Sequence, residues 1–217
     1  MQDVVIIPAH NEEKNIGEVI GKVKQYTNNI IVVDDGSEDG TSEKAKQLGV
    51  KVLRHSINLG KGAALKTGCD FAYNNGAKQI TVIDADGQHD PKEIPRFFES
   101  LKNNEIVFGY RKQANSMPFV LKFGNRFIND SLRFLFKIKI NDSQCGYRAF
   151  KADAYKKIRW SARDYYMETE MIVKAGKHHL KYEQIPIETI YGDKYKGTTV
   201  ADGLKIVMKM CGWRLLK

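Results

Sequence analysis

Cysteine is scarce in this sequence, and its three copies predict neither a zinc site nor a disulfide framework. Cys69, Cys145 and Cys211 are odd in number and far apart, and none has a second Cys or a His at ligand spacing. Long apolar runs are also missing: no stretch approaches the roughly 18 residues of a membrane-spanning helix, and the run after Met1 is too short for a secretory leader. We therefore expect a reducing compartment, with the protein cytoplasmic or peripheral at the cytoplasmic face of a membrane.

Glycine-rich phosphate loops of the two common kinds are absent as well. Neither Gly-x-Gly-x-x-Gly nor Gly-x-x-x-x-Gly-Lys-Ser/Thr occurs, and Leu59-Gly60-Lys61-Gly62 matches the second only superficially. Dinucleotide oxidoreductases and P-loop hydrolases are therefore disfavoured.

Positive charge is in excess but unevenly distributed. The 217 residues carry a formal net charge of +9, and 42% of them are hydrophobic, a composition typical of one globular domain. Residues 1–100 hold 12 Lys and Arg against 15 Asp and Glu, whereas residues 101–217 hold 23 against 11. A basic half suits nucleic acid, anionic lipid or a phosphorylated substrate, and charge alone does not choose among them.

Short β-branched runs alternate with helical stretches through the first hundred residues. The pattern predicts strands at Val4–Ile7, Ile30–Val33, Val50–Leu53, Ile80–Ile83 and Ile106–Phe108. It predicts helices at Glu12–Tyr26, Thr41–Leu48, Lys61–Asn75 and Pro91–Lys102. Strict alternation indicates an α/β fold with a Rossmann-like, mostly parallel sheet flanked by helices. Ligands of such sheets bind beyond the carboxyl ends of the strands.

The alternation stops after Arg111. We place a boundary there, between one half of residues 1–111 and another of residues 112–217. Because no internal repeat or low-complexity linker separates the halves, we expect the second to pack on the sheet as a lobe of one compact domain.

Two carboxylates directly follow the fourth predicted strand. Asp84-Ala85-Asp86 stands on an extended turn, where both side chains can share a hard divalent cation with phosphate oxygens, and Gln88 adds a polar group. An isolated Asp-x-Asp is common in loops, but its place at a strand end strengthens the prediction. Asp35, after the second strand, can accept hydrogen bonds from a base or a ribose, with a simple turn as the alternative.

Four motifs follow one another over the first ninety residues. They are Ile6-Ile7-Pro8-Ala9-His10-Asn11-Glu12-Glu13, Val32-Val33-Asp34-Asp35-Gly36-Ser37-Glu38-Asp39-Gly40-Thr41, Asn58-Leu59-Gly60-Lys61-Gly62 and Asp84-Ala85-Asp86-Gly87-Gln88-His89-Asp90-Pro91. Together they resemble the motifs of family 2 glycosyltransferases with the GT-A fold. A further segment, Asp142-Ser143-Gln144-Cys145-Gly146-Tyr147-Arg148, is similar to one in dolichyl-phosphate and polyprenyl-phosphate glucose and mannose synthases, and looks closer to the glucosyl branch.

This resemblance implies a nucleotide-sugar-binding half in residues 1–111 and an acceptor-side half in residues 112–217. It implies a donor of the UDP-glucose or GDP-mannose type, bound by Pro8, His10, Glu12, Asp35, Lys61, Asp84, Ala85, Asp86 and Gln88. It implies Mg²⁺ or Mn²⁺ held by Asp84, Asp86 and Gln88. Basic positions expected to approach the donor or acceptor phosphates are Arg111, Arg148, Lys194 and Lys196.

Inverting sugar transfer needs an acceptor oxygen opposite a leaving diphosphate, whose growing charge the metal and cationic side chains stabilise. A lipid phosphate acceptor is already anionic, so a strong base is unnecessary. The catalytic candidates are Asp86, Asp142, Glu168, Glu170 and Arg148. Asp142 and the two glutamates are candidates for a base or a metal-orienting carboxylate. Glu168 and Glu170 lie two positions apart on a predicted helix, so at most one should face the site, and a solvated helix charge is the alternative for each.

Residues 117–138 predict an amphipathic helix, and this prediction owes nothing to the resemblance. One sector carries Lys122, Arg126, Arg133 and Lys137, and the opposite half carries Val120, Leu121, Phe123, Phe127, Ile128, Leu132, Phe134, Leu135 and Ile138. Such a helix suits the headgroup region of a membrane, and residues 203–217 suggest a second one; packing on the core is the alternative for both. A separate membrane-anchoring partner is a further expectation, since some proteins of the resembled group carry transmembrane helices.

The sequence thus predicts a metal-dependent, inverting hexosyltransferase that moves a hexose from a nucleotide sugar to polyprenyl or dolichyl phosphate, with UDP favoured over GDP. One alternative is a glycosyltransferase acting on a sugar hydroxyl of a soluble or cell-surface glycan, with Glu168 or Glu170 as a true base. The other is a non-catalytic basic module that binds nucleic acid. Acidic groups clustered at strand ends disfavour that module, so we expect no nucleic-acid partner.

Overall fold

A computed structural model of the chain describes residues 2–111, 119–164, 166–188 and 200–215. In that part of the chain one sheet is formed by the strands β1 Asp3–Ala9, β2 Ile30–Asp34, β3 Lys51–Arg54, β4 Gln79–Val82, β5 Ile106–Arg111, β6 Arg148–Lys151 and β7 Tyr182–Ile187. Their order is β3-β2-β1-β4-β6-β5-β7. All neighbours are parallel except β6, which is antiparallel to both β4 and β5.

The helices lie on both sides of this sheet. They are α1 Glu13–Val23, α2 Thr41–Gln47, α3 Lys61–Asn74, α4 Ile94–Leu101, α5 Phe119–Phe136, α6 Ala152–Ile158, α7 Tyr166–Lys177 and α8 Val200–Leu215. Every strand and helix predicted for the first hundred residues is present within a few residues of its predicted bounds. The predicted α/β fold is therefore confirmed.

The central strands are buried on both faces, as their nearly continuous apolar sequence predicts. Alternate side chains of a strand point to opposite faces. Val4 and Ile6 of β1 therefore pack in one core with α3 and α5 to α8. Val5 and Ile7 pack in a second core with α1, α2 and α4.

The second half of the chain was expected only to pack on the sheet, but it also contributes two strands to it, β6 and β7. The strand β6 lies between β4 and β5, and β7 lies beside β5. At the other end, the chain runs from β1 outward through β2 to β3 and then returns to place β4 on the opposite side of β1. The strand order therefore reverses at β1, which is where open parallel sheets form a ligand crevice at their carboxyl edge.

The helix α5 falls inside the predicted segment 117–138, but its apolar residues are divided between two environments. Ile128 and Leu132 are buried in the core, whereas Phe127 and Phe134 are exposed. None of the helices in the described part of the chain has the length and apolar content needed to cross a bilayer.

Candidate active site

A cleft of about 450 Å³ opens at the carboxyl edge of β1, β2 and β4. Most of the residues predicted to bind a donor line it: Pro8, His10, Glu12, Asp35, Lys61, Asp84, Ala85 and Asp86. Asn58 and Asp164 line it as well, and Asp164 belongs to none of the motifs identified in the sequence. Gln88 is half-buried next to this cleft and is not one of its lining residues.

Asp35 fixes the loop that precedes α3. Its Oδ1 accepts a hydrogen bond from Leu59 N (2.9 Å) and lies 2.7 Å from His55 Nδ1, while its Oδ2 accepts one from Gly60 N (2.8 Å). The Nδ1 of His10 lies 3.0 Å from the carbonyl oxygen of Asp35. Asp35 therefore shapes the wall of the cleft, and its contact with a base remains a prediction.

The Gly-Lys-Gly sequence at the start of α3 is explained by a close backbone approach. Gly60 has a φ of +96°, and a Cβ at this position would collide with the carbonyl oxygen of Arg163. That oxygen accepts a hydrogen bond from Ala63 N at 3.1 Å. A Cβ on Gly62 would lie only 2.6 Å from the carbonyl oxygen of Ala162. The glycines thus let the 162–163 backbone lie against the first turn of α3, where Lys61 reaches the cleft.

Lys61 joins two carboxylates that come from different halves of the chain. Its Nζ lies 2.8 Å from Asp84 Oδ1 and 3.2 Å from Glu168 Oε1. Burial alone would lower the pKa of Lys61, but the two carboxylates outweigh burial and hold the pKa above its usual value. Burial would raise the pKa of Asp84, and Lys61 brings it below its usual value. A Cβ on Gly146 would lie 2.7 Å from Asp84 Oδ2, so a side chain at position 146 would displace this carboxylate.

Asp86 completes an acidic pair that suits a divalent cation arriving with a diphosphate. Burial and the neighbouring Asp84 charge both raise the pKa of Asp86, and its Oδ1 accepts a hydrogen bond from Gln88 N at 3.0 Å. Among the described residues no set of three or more His, Cys, Asp or Glu side chains comes together to hold a metal ion. The pair of Asp84 and Asp86 is nevertheless a donor set that fits Mg²⁺ or Mn²⁺, because such ions are commonly bound by one or two carboxylates together with substrate phosphates.

Asp142 and Arg111 form a buried ion pair at the end of β5. Arg111 donates from Nε to Asp142 Oδ2 (2.7 Å) and from Nη2 to Oδ1 (3.1 Å). Asp142 Oδ1 also accepts hydrogen bonds from Asn125 Nδ2 (3.0 Å) and Gln144 N (3.1 Å). Burial would raise the pKa of Asp142, but Arg111 holds it below its usual value. This geometry makes Asp142 the anchor of Arg111 and argues against the predicted role as a base.

Arg148 is also held in a structural position. Its side chain is 1% exposed, and it donates to the carbonyl oxygens of Cys145 (2.9 Å), Glu168 (2.6 Å) and Ser143 (2.7 Å). The guanidinium therefore ties the 143–148 segment to the first turn of α7. The predicted contact with a phosphate has no support from this arrangement.

The two glutamates of α7 serve different surroundings, as their spacing predicts. Glu168 reaches Lys61, and its Oε2 is buried without a hydrogen-bond partner. Glu170 instead accepts hydrogen bonds from the backbone N of Ser161 (2.9 Å) and Ala162 (2.9 Å) and pairs with Lys174. Glu170 therefore holds the 161–162 segment, and it is not one of the residues that line the cleft. The remaining predicted phosphate-binding residues lie outside the described part of the chain: Lys194 and Lys196.

Known proteins are similar in sequence to this chain along most of its length. The sequence pattern of the family described as Glycosyl transferase family 2 matches residues 4–159. A UDP-N-acetylglucosamine–dolichyl-phosphate N-acetylglucosaminyltransferase of Methanococcus voltae is 35% identical, over 95% of this chain and 93% of the relative. A polyprenol monophosphomannose synthase of Mycolicibacterium smegmatis is 28% identical, over 97% and 86%.

Solved structures share the fold. A glucosyl-3-phosphoglycerate synthase from Mycobacterium tuberculosis, crystallised with Mn²⁺, uridine diphosphate and glucosyl-3-phosphoglycerate, superposes with a TM-score of 0.76. It is 18% identical, and the alignment covers 97% of this chain and 80% of that one. At this identity the likeness concerns the fold alone.

Proposed function

The chain belongs to glycosyl transferase family 2 and is a glycosyltransferase, and from this premise we propose that it transfers a sugar from a UDP-linked donor to a polyprenyl or dolichyl phosphate, with inversion. The observation that carries the proposal is that Asp84, Asp86 and Lys61 share one cleft with Pro8 and Asp35. Family membership removes the alternative of a non-catalytic binding module.

The donor is proposed to lie across the tips of β1, β2 and β4. Its base and ribose would lie near Pro8, His10 and Asp35, and its diphosphate would extend toward Asp84 and Asp86. The Methanococcus voltae relative carries UDP-N-acetylglucosamine in its name, which supports a UDP donor. UDP-N-acetylglucosamine therefore joins UDP-glucose and GDP-mannose among the donors to be compared.

Negative charge on the leaving diphosphate is the main electrostatic problem of the reaction. Mg²⁺ or Mn²⁺ held by Asp84 and Asp86 would supply Lewis-acid stabilisation of that charge when bound. The chain itself offers the Lys61 ammonium at the first position of α3. Arg111, fixed by Asp142, is a further cation at the carboxyl edge of the sheet.

The acceptor is proposed to be a phosphate because each carboxylate predicted as a base is already paired in the described part of the chain: Asp142 with Arg111, Glu168 with Lys61 and Glu170 with Lys174. A phosphate monoester has its second pKa near ~6 and is largely dianionic at neutral pH, so its oxygen can attack without losing a proton to the protein. Glu168 is bound to Lys61, which favours a role in positioning that ammonium. The second candidate is a sugar-hydroxyl acceptor, favoured only by the unpartnered Oε2 of Glu168. A polyprenyl acceptor would bring the reaction to a membrane surface.

Thermal denaturation with nucleotides tests the donor half of this proposal. A ligand present at 100 times its Kd stabilises a protein by ~2.7 kcal/mol. We expect UDP with Mn²⁺ to raise the Tm, GDP with Mn²⁺ to raise it less, and Asp84→Asn to lose the Mn²⁺-dependent part of the shift. Absence of any shift with UDP, or a shift that Asp84→Asn leaves unchanged, would contradict the proposed donor site.

A further inference from the structure

Exposed apolar side chains mark one surface of the molecule. The helices α5 and α8 pack against each other, and between them they expose Phe127 (43%), Phe134 (77%) and Met208 (74%). Phe127 and Phe134 are seven positions apart and therefore lie on one face of α5. The opposite faces of the two helices are buried in the core through Ile128, Leu132, Ile206 and Met210. Core packing explains why these four side chains are apolar, but it does not explain the exposed Phe127, Phe134 and Met208.

The same surface is strongly basic. The exposed cations of α5, α8 and the residues just after α5 are Arg126, Arg133, Lys137, Lys139, Lys205, Lys209 and Arg214. Among the described side chains of these segments, the one acid is Asp130, which lies 3.8 Å from Arg126. Asp130, Arg133, Phe134, Lys137 and Lys139 line a pocket of about 500 Å³. Among the described residues, none of the three cations of that pocket forms an ion pair.

We propose that this α5–α8 surface docks on a bilayer that contains anionic lipids. Phe127, Phe134 and Met208 would enter the headgroup region, and the cations around Phe134 would bind lipid phosphates. Large apolar side chains beside Lys and Arg are typical of surfaces that lie in the membrane interface. A second copy of the chain is a poor occupant, because it would bring two strongly basic surfaces together.

The helices of the α5–α8 surface also contact residues of the candidate active site. The helix α7, whose first turn carries Glu168, contacts both α5 and α8. Asn125 of α5 donates a hydrogen bond to Asp142, the partner of Arg111. The α5–α8 surface is therefore connected, through α7 and Asn125, to Glu168 and to the Arg111–Asp142 pair of the candidate site. The inference concerns binding to a membrane and goes beyond the proposed reaction, which it does not require.

Binding to vesicles tests the proposal without donor or acceptor. Vesicles of equal parts phosphatidylglycerol and phosphatidylcholine are compared with phosphatidylcholine alone by co-sedimentation. We expect clear binding to the anionic vesicles and at least tenfold weaker binding to the neutral ones. Phe134→Ser should weaken binding about tenfold, and Arg133→Glu with Lys137→Glu by about a hundredfold or more. The control for Phe134→Ser is Tyr26→Ser, at an exposed aromatic residue just after α1. The control for the double charge reversal is Lys14→Glu with Lys46→Glu, at exposed residues of α1 and α2. Both helices lie on the opposite face of the sheet.

Cys211 provides a second readout in the native chain. It is exposed on α8, whereas Cys69 and Cys145 are buried, and burial raises the pKa of the Cys145 thiol to about 12. The emission of an environment-sensitive fluorophore on Cys211 should shift to shorter wavelength with anionic vesicles and not with neutral ones.

Sugar transfer to a short, water-soluble polyprenyl phosphate separates docking from catalysis. Its rate should be the same for Phe134→Ser and the wild type. Failure of transfer in both proteins would count against the proposed function and leave the docking result standing.

Three results would overturn the docking proposal. The first is equal or absent binding to the two kinds of vesicle. The second is an effect of Phe134→Ser no larger than that of Tyr26→Ser. The third is that the protein does not bind vesicles and instead forms a lipid-free dimer or a complex with RNA. In that case the dimer or complex would be lost in Phe134→Ser or in the double variant of Arg133 and Lys137.

Discussion

The Nζ of Lys61 lies 2.8 Å from Oδ1 of Asp84, so an ammonium of the chain itself lies against the first carboxylate of the acidic pair. A divalent cation bound by Asp84 would meet this positive charge at close range. Lys61 also contacts Glu168, which lies on α7 in the second half of the chain. Binding of metal and diphosphate is therefore expected to change the contacts of Lys61 with both carboxylates.

Lys61→Met should increase the affinity for Mn²⁺ alone while it lowers the rate of sugar transfer. Removing the ammonium leaves Asp84 free for the metal, and the expected gain is on the order of tenfold, as for loss of one close charge interaction. Transfer should fall because the leaving diphosphate loses a cation. Electron paramagnetic resonance of free Mn²⁺ measures the affinity directly. Lys66→Met on the same helix is the control, and an Mn²⁺ affinity unchanged or weakened by Lys61→Met would contradict competition between the two cations.

Glu168→Gln should slow transfer about tenfold and leave the shape of the pH–rate profile unchanged. This follows if Glu168 positions Lys61 and takes no proton from the acceptor. A general base contributes about 10²- to 10⁴-fold, and its loss removes its pKa from the profile. The measurement is kcat against pH with a polyprenyl phosphate. Loss of the acid limb together with a fall of a thousandfold would instead identify Glu168 as the base and favour a hydroxyl acceptor.

Glu170→Ala should act on stability. Glu170 accepts hydrogen bonds from Ser161 N and Ala162 N, and without it these backbone donors lose their partner. The expected loss is ~2–3 kcal/mol in the free energy of unfolding. Urea denaturation measures it, with Glu168→Ala as the comparison. A stable Glu170→Ala protein with abolished transfer would show that Glu170 acts in the chemistry after all.

Arg111→Met should destabilise the protein by ~3–5 kcal/mol near neutral pH, because it leaves Asp142 buried without its counter-ion. The folded-state pKa of Asp142 lies below its unfolded value, so the pair contributes fully above about pH 4 and its contribution is lost as the pH falls through the folded pKa. The difference in the free energy of unfolding between wild type and variant should narrow as the pH falls, because the buried, unpaired Asp142 of the variant takes up a proton at a higher pH than the paired Asp142 of the wild type. Arg159→Met, which breaks a half-exposed pair with Asp70, should cost no more than ~1 kcal/mol. Equal losses for the two variants would contradict a structural role for the Arg111 pair.

The strands β1, β2, β4 and β5 were predictable because their apolar runs are mostly buried and each is followed by turn residues. The strand β3 lies exposed or half-buried at the edge of the sheet, and it was predictable from its short run of apolar and β-branched residues. The strands β6 and β7 were not predicted. The first is four residues long and begins with Arg148, and the second contains Pro186 at the edge of the sheet. Their partners are strands far away in sequence, and no local periodicity reports such a pairing.

The candidate site was predictable where a motif follows a strand. Pro8, Asp35 and Asp84 meet in one cleft because parallel strands end at the same edge of the sheet. The partner of each charged side chain was not predictable, since Arg148 and Asp142 look the same in sequence whether they face a substrate or each find a buried partner. In the folded protein, Arg148 donates hydrogen bonds to three backbone carbonyls, and no local sequence pattern indicates these partners.

The most direct measurement is transfer of radiolabel from a nucleotide sugar to polyprenyl phosphate in the presence of Mn²⁺, with Asp84→Asn as the matched variant. UDP-N-acetylglucosamine, UDP-glucose and GDP-mannose are each supplied as the labelled donor. We expect a lipid-extractable labelled product with a UDP-linked donor, dependent on Mn²⁺ and reduced at least about a hundredfold in Asp84→Asn. No lipid-linked label with any of these donors, or a product formed equally well by Asp84→Asn, would contradict metal-assisted transfer at the paired carboxylates.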